Sequence, residues 1–209
     1  TEERKRFAQK SHEYLIEQVQ TLPTEYTDKD SDHVNIPLRL NHPVKELMWT
    51  FQRKEDMEKL GPLWSSESNR ITGATIQMNG LDRFPKRPGN YFQYTQKFVH
   101  HTGTNLHKMF SENYIMYNDM NIDITDPTLF TKFPVACMDP FVYSFSISPE
   151  KHQPTGTCNF SRIDNSILSI DINEEDLVPA EMGFIIKAYA INYNILRIAS
   201  GMGGLAYSN

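Results

Sequence analysis

The chain has 209 residues, a formal net charge of -5 at pH 7, 39% hydrophobic and 11% aromatic residues. That length suffices for one sizeable core, and the aromatic content argues against wholesale disorder. The acidic balance excludes a general attraction to nucleic acid, which needs a basic face. No apolar run in the sequence reaches the roughly 18–20 residues of a membrane span.

The cysteine count bears on disulfide and metal content, and the first residue bears on whether the chain is part of a longer protein. Cys137 and Cys158 are too few and too far apart for a disulfide scaffold or a zinc cluster. Two reduced thiols are favoured, and a single disulfide stays open. The sequon at Asn159 would matter only in a secreted chain, and no signal peptide is recognisable. Because the chain begins at Thr1 rather than Met, we expect it to be a piece of a longer protein.

The first segment is compatible with two secondary structures. Leu15, Val19 and Leu22 have helical spacing, and residues 1–10 are charged and free of Gly and Pro, which suits a short helix. Residues 14–20 fit a strand equally well. Pro23 ends the segment in either case.

Two strands are predicted next from a period of two. Residues 34–40 alternate aliphatic and polar side chains, so the four aliphatic residues share one face. Pro37 falls on the polar set and cannot donate a ladder hydrogen bond, which predicts an edge strand or a bulge. Residues 47–51 alternate in the same way, and residues 41–43 have turn composition. We therefore expect the two strands to form a hairpin.

Further strands follow at residues 74–78, 141–147 and 168–172, and a long β-rich run covers residues 185–198. This run is apolar on both faces, which predicts a central strand or a face covered by another subunit. Helical turns are expected at residues 55–60 and 127–133. The second is expected because Asp126 can act as its N-cap and Pro127 suits its first position. Six or seven strands without a long amphipathic helix predict one antiparallel sandwich or jelly-roll domain.

The glycine-rich stretch at residues 201–206 matches the G-x-G-x-x-G/A pattern of dinucleotide-binding proteins. That motif needs a following helix, whose N-terminus holds the pyrophosphate, and only three residues follow here. We therefore expect these glycines to allow a sharp turn or a close backbone approach.

His100, His101 and His107 form the histidine cluster of the chain. Metal-binding jelly rolls project two His from one strand face, whereas adjacent residues of a strand project from opposite faces. A loop or interface role is therefore favoured over a cupin-like metal enzyme, which would bind a metal at these His. We assign no metal-binding, cofactor-binding or catalytic residue.

Two other groups of side chains are of types that can form catalytic or binding sites. Glu174, Glu175 and Asp176 form an acidic run typical of a solvated loop. The aromatic stripe of Phe141, Tyr143 and Phe145 could stack on sugars or bases, but core packing is favoured. The sequence contains no G-x-S-x-G, P-loop or C-x-x-C motif. No cofactor is expected.

A resemblance begins at residues 153–162, which read QPTGTCNFSR. Local physics explains the turn at residues 153–156 but not the specific polar residues after it. Together with the strand before them, these residues resemble the Q-P-[ST]-G…N-x-[SG]-R region of the major capsid protein of nucleocytoplasmic large DNA viruses. Residues 17–20, 42–48 and 190–203 resemble further stretches of that family, in the same order.

This resemblance implies an all-β fold, an antiparallel eight-stranded jelly-roll sandwich with long inter-strand loops and a few short helices. It implies that residues 14–20 form a strand and that residues 1–10 are an inter-domain connector. Residues 11–209 then form the C-terminal jelly roll of a double jelly-roll subunit, whose N-terminal jelly roll is absent here. Residues 53–73 and 81–140 correspond to outward-facing insertions, with a candidate strand at residues 114–117.

The resemblance also implies a structural, non-enzymatic function. Three subunits would form a pseudo-hexagonal capsomer in the icosahedral shell of a large DNA virus, assembled in the host cytoplasm and retained in the virion. The partners would be the homotrimer, neighbouring capsomers and minor capsid proteins, with no nucleic acid and no direct membrane span. The alternative is a stand-alone carbohydrate-binding, lectin-like jelly roll.

Overall fold

The structure is a computed structural model that describes residues 2–27, 31–54, 71–102, 140–173 and 183–207. The helical elements of these ranges are α1 (Glu2–Gln9), a π-helical turn (Tyr91–Thr95), α2 (Gln96–His100) and a 3-10 turn (Phe160–Arg162). The strands of these ranges are β1 (His12–Thr21), β2 (Glu25–Tyr26), β3 (His33–Pro37), β4 (Pro43–Arg53), β5 (Ile71–Met78), β6 (Leu81–Asp82), β7 (Phe141–Ser144), β8 (Cys158–Asn159), β9 (Ser166–Ile172), β10 (Phe184–Ala199) and β11 (Met202–Leu205).

Two antiparallel sheets form the fold. The first has the order β1-β10-β4-β7, with β2 and β11 paired to β10 and β8 paired to β4. The second has the order β3-β9-β5-β6. The eight strands of these two paths place early strands beside late ones, which is the arrangement of a jelly-roll sandwich. The predicted all-β antiparallel jelly roll is therefore confirmed.

The hydrophobic core lies between the two sheets, because inward-facing residues of both belong to one buried cluster. Trp49 of β4 is fully buried, with its ring 5.1 Å from Phe92 and 5.8 Å from Phe141. Ile76 and Leu168 contribute to the same cluster from the second sheet. Alternate strand residues therefore fill one shared interior, as two face-to-face sheets require.

Strand β10 occupies the centre of the first sheet. It pairs with β1 from Thr21↔Tyr189 to His12↔Ile198, and with β4 from Arg53↔Phe184 to Val44↔Asn192. The predicted central strand is confirmed. The prediction of a strand at residues 14–20 is confirmed by β1.

The hairpin predicted from residues 34–51 is wrong. Strand β3 pairs with β9 in the second sheet, whereas β4 pairs with β10 and β7 in the first. Between them the chain crosses from one sheet to the other: Leu38 N still donates to Ser166 O at 2.8 Å, and His42 has a φ of +63°. Alternation identifies the inward face of a strand, but it does not identify the neighbouring strand. The edge position predicted from Pro37 is confirmed.

The strand predicted at residues 141–147 is shorter than expected, because β7 ends at Ser144. Ile147, which the alternation placed on the buried face, is instead 74% exposed. The helical turns at residues 55–60 and 127–133 and the candidate strand at residues 114–117 lie outside the described residues.

Candidate functional site

Residues 144–162, here called the corner, connect β7 to the segment after β8. Ser144 Oγ donates to Ser146 O at 2.7 Å and accepts from Ser146 N at 3.2 Å. A hydroxyl that bonds its neighbouring backbone competes with the sheet ladder. This local bonding ends β7 and turns Ile147 towards solvent.

Thr155 and Gly156 hold the two arms of the corner together. The Oγ1 atom of Thr155 lies 2.6 Å from Ser146 Oγ and accepts from Ser148 N at 2.9 Å. Gly156 has a φ of +140°, and a Cβ added there would lie 2.9 Å from Phe145 O. The close approach of two backbones therefore requires glycine after the threonine.

The residues after Gly156 attach the corner to the crossing between the sheets. Strand β8 pairs with the beginning of β4, and Asn159 Oδ1 accepts from Ser161 N at 3.1 Å. Phe160 is buried, with its ring 5.6 Å from that of Phe145. Ser161 Oγ accepts from His42 N at 2.8 Å. Of the polar residues after the turn, Ser161 thus joins a segment far away in sequence, whereas Asn159 accepts a local hydrogen bond that caps the 3-10 turn.

A buried lysine lies beside the corner. Lys45 is 3% exposed, and its Nζ lies 2.6 Å from Glu17 Oε1 and donates to Pro149 O at 2.7 Å. The same Nζ lies 5.5 Å from the centroid of the Tyr193 ring. A buried ammonium is tolerated when it is paired and hydrogen-bonded, as here. Lys45 therefore joins β1, β4 and the corner.

Substituting Lys45→Met should lower the free energy of unfolding by about 1–2 kcal/mol, because it removes a charged hydrogen bond and an ion pair. Lys86→Met is the matched control: Lys86 Nζ lies 2.6 Å from Asp171 Oδ2, but its side chain is 53% exposed. An exposed pair of this kind is worth less than about 1 kcal/mol. Urea unfolding followed by circular dichroism measures both, and equal losses would contradict a special role for Lys45.

His101 lies between two carboxylates at the end of α2. Its Nε2 contacts Glu46 Oε1, and its Nδ1 lies 3.3 Å from Glu150 Oε1. The hydrogen bond with Glu46, partly opposed by burial, raises the pKa of His101, and the charges of both carboxylates add to it. Hydrogen bonds from Thr102 lower the pKa of Glu150. Nothing in the sequence indicates these partners, which lie 55 and 49 positions away along the chain (101−46 and 150−101).

The two described members of the predicted histidine cluster, His100 and His101, have different partners. His100 Nδ1 lies 3.0 Å from Ile147 O, whereas both ring nitrogens of His101 face carboxylates. Within the part of the chain that the structure describes, no group of His, Cys, Asp and Glu could hold a metal ion. His107, Cys137 and the acidic run at residues 174–176 lie outside the described ranges. The Cys158 thiol is half-buried, and burial raises its pKa.

The aromatic stripe and the glycine-rich stretch have structural roles. Phe141 stacks on Trp49, and the Tyr143 ring lies 4.7 Å from that of Phe84, so the predicted core packing is confirmed. At the C-terminal stretch, Ser200 and Gly201 have positive φ and form a two-residue turn between β10 and β11. The glycine-rich stretch therefore supplies part of the turn and the second strand of a hairpin, which confirms the expected sharp turn.

Large apolar side chains are exposed where α2 meets the corner. Phe98 is 82% exposed and Val99 is 62% exposed on α2, and Ile147, whose carbonyl oxygen lies 3.0 Å from His100 Nδ1, is 74% exposed. We call Phe98, Val99 and Ile147 the α2 surface. Contiguous exposed apolar groups are typical of interaction sites. The aromatic stripe of Phe141, Tyr143 and Phe145, which could have stacked on a sugar, packs in or against the core instead.

These features define a jelly-roll protein whose loops are tied to a rigid sandwich and whose exposed apolar groups suit contact with other proteins. In the described ranges, no helix is long and apolar enough to cross a bilayer. A sequence profile for the large eukaryotic DNA virus major capsid protein matches residues 3–118 and 124–204. The chain belongs to this family.

Individual relatives agree with the family assignment. The chain is 40% identical over 209 residues to the major capsid protein of Pyramimonas orientalis virus, covering 100% of this chain and 46% of that protein. It is 31% identical over 256 residues to the major capsid protein of Paramecium bursaria Chlorella virus 1, covering 100% of this chain and 52% of that protein. The chain thus spans about half the length of these relatives.

The fold agrees with a solved capsid. A chain in the quasi-atomic model of the PBCV-1 virus capsid superposes with a TM-score of 0.69 at 30% identity. The match covers 100% of this chain and 54% of that chain.

Proposed function

We propose that the chain is the C-terminal jelly roll of a double jelly-roll major capsid protein, a structural component of an icosahedral large DNA virus shell. The observation that carries this proposal is the match to capsid proteins along 100% of the chain but only about half of theirs. A sandwich whose loops are tied to its sheets suits a shell block, because it is a stiff unit that leaves its loops for contacts with neighbours.

The proposal assigns residues 1–10 to a connector between two jelly rolls and residues 11–209 to the second of them. Every residue of α1 is exposed, so this helix contributes nothing to the core of the described sandwich. Phe7 instead stacks on His12 at a centroid distance of 3.9 Å. An exposed helix before the first strand suits a segment that joins two domains.

In this proposal three subunits form a pseudo-hexagonal capsomer, which contacts neighbouring capsomers and minor capsid proteins. The role is structural rather than enzymatic, the protein is assembled in the host cytoplasm, and it resides in the virion. The α2 surface is the candidate contact between copies, because burying Phe98, Val99 and Ile147 would remove apolar area from water.

Light scattering of the purified full-length subunit tests the proposal. We expect a trimer, and a full-length protein that stays monomeric at all accessible concentrations would overturn it. If the full-length protein is a trimer but its subunits do not contact one another through this jelly roll, only the role of the α2 surface is overturned.

Phe98→Asp should weaken the trimer by at least tenfold in subunit concentration, since buried aromatic anchors contribute about 2 kcal/mol or more at interfaces. Leu81→Asp is the matched control, because Leu81 is similarly exposed but lies on β6 of the second sheet. Dilution series in light scattering compare the two. Equal weakening by both variants would count against the α2 surface.

A further inference from the structure

The contacts of His101 require a particular protonation state. A neutral imidazole has one N–H donor and one acceptor nitrogen, whereas the imidazolium has two donors. Both nitrogens of His101 face carboxylate oxygens, those of Glu46 and Glu150. In the neutral form one nitrogen lone pair would therefore point at a carboxylate, so the arrangement suits the doubly protonated ring.

The burial of Glu46 strengthens the requirement for a doubly protonated His101. Glu46 is 2% exposed, and a buried carboxylate is costly unless it is paired with a cation. Glu150 is exposed, and Thr102 N donates to both of its carboxylate oxygens at 3.0 and 3.1 Å. Loss of the proton from His101 would thus leave Glu46 as a buried anion without a cationic partner on the ring.

The three side chains join three separate elements. Glu46 lies on β4, His101 directly follows α2, and Glu150 lies in the corner. Next to this set, His100 Nδ1 bonds Ile147 O at 3.0 Å. The same few residues therefore fix the end of α2 against the corner and set the positions of Phe98, Val99 and Ile147.

Other charged groups lie on the elements that pack here. Lys45, next to Glu46 in sequence, is engaged with Glu17 and Pro149 O. Lys97 is buried on α2 and has its own contacts. The carboxylates whose charges act on His101 are Glu46 and Glu150, and both favour the protonated ring.

We propose that His101, Glu46 and Glu150 form a protonation-dependent clamp that holds α2 on the corner and so organises the α2 surface. With His101 doubly protonated the clamp is closed; deprotonation weakens it and loosens the corner. The link from this clamp to capsomer contacts rests on the proposed function, whereas the clamp itself does not.

The direction of the pH effect follows from the raised pKa of His101. A histidine whose folded pKa exceeds the unfolded value of about 6.5 contributes stability that is complete below that pH. This contribution is lost as the pH rises through the folded pKa. Alkaline rather than acidic conditions should therefore open the clamp.

Nuclear magnetic resonance of histidine side chains in the 209-residue chain tests the clamp directly. We expect His101 to titrate above the unperturbed value of about 6.5 and Glu150→Gln to lower its midpoint. Amide exchange at Ile147, Ser148 and Glu150, corrected for intrinsic rates, should accelerate about tenfold or more as the clamp opens. His101→Gln should abolish this pH dependence, and His33→Gln, a control at a histidine on β3 of the second sheet, should retain it.

Each outcome decides the proposal. Titration of His101 at or below about 6.5, or exchange at the corner that does not change with its protonation, would overturn the clamp. Because Glu150 is exposed, Glu150→Gln should keep the fold if His101→Gln does not. The proposed capsomer role is tested separately: a trimer whose stability is independent of pH would leave that role intact and break only its link to the clamp.

Discussion

Replacing Trp49 with alanine should lower the free energy of unfolding by about 3–5 kcal/mol, the range for deleting a large aromatic ring from a core. Trp49 is fully buried between the sheets, and its ring packs against Phe92 and Phe141. Because the surrounding side chains belong to one buried cluster contributed by both sheets, much of the vacated volume should remain as a cavity. Domains have about 5–15 kcal/mol of total stability, so the variant should be close to unfolding.

Urea unfolding monitored by far-ultraviolet circular dichroism measures this loss without relying on the deleted fluorophore. Val19→Ala is the control, because Val19 lies on β1 of the same sheet and its side chain is mostly exposed. That control should change stability by no more than about 0.5 kcal/mol. A Trp49→Ala loss below about 1 kcal/mol would contradict the packing described for this core.

Gly156→Ala should cost about 3 kcal/mol, which combines the strain of a residue held at positive φ with a steric clash. The new Cβ would lie 2.9 Å from Phe145 O, a backbone atom that cannot rotate away. Relief would require the two arms of the corner to separate and would break the contacts of Thr155. We therefore expect lower stability together with faster amide exchange across the corner.

Gly204→Ala provides a matched comparison. A Cβ at Gly204 meets nothing within 4 Å, so this substitution should change stability by no more than about 0.5 kcal/mol. Thermal melts of the two variants make the comparison in one experiment. Similar melting temperatures would show that the close approach at Gly156 is not required.

The sequence predicted the faces of the strands better than their partners. Alternation along residues 34–40 correctly placed Val34, Ile36, Leu38 and Leu40 towards the core, although β3 itself ends at Pro37. It could not indicate that β3 pairs with β9, since the partner lies more than a hundred residues away. The false hairpin arose because a turn at His42 leads equally well to the other sheet.

The candidate site was less accessible to sequence reasoning. The resemblance identified residues 153–162 as distinctive. Their roles in the fold, however, are contacts with His42, Phe145 and Ser146. The adjacency argument for His100 and His101 assumed a strand, whereas His100 ends α2 and His101 follows it. The carboxylates that face His101 come from β4 and the corner, and no local pattern connects them with it.

The position of β10 has a consequence for how the chain reaches this fold. Both of its long neighbours, β1 and β4, precede it by well over a hundred residues, and neither has its principal partner until β10 is available. The first sheet therefore cannot form the pairings of its central strand until synthesis has passed Phe184. Folds dominated by such distant pairings acquire structure slowly and expose unpaired edges in the meantime. Biosynthesis of this domain thus includes a period of vulnerability to aggregation that ends only when its central strand inserts.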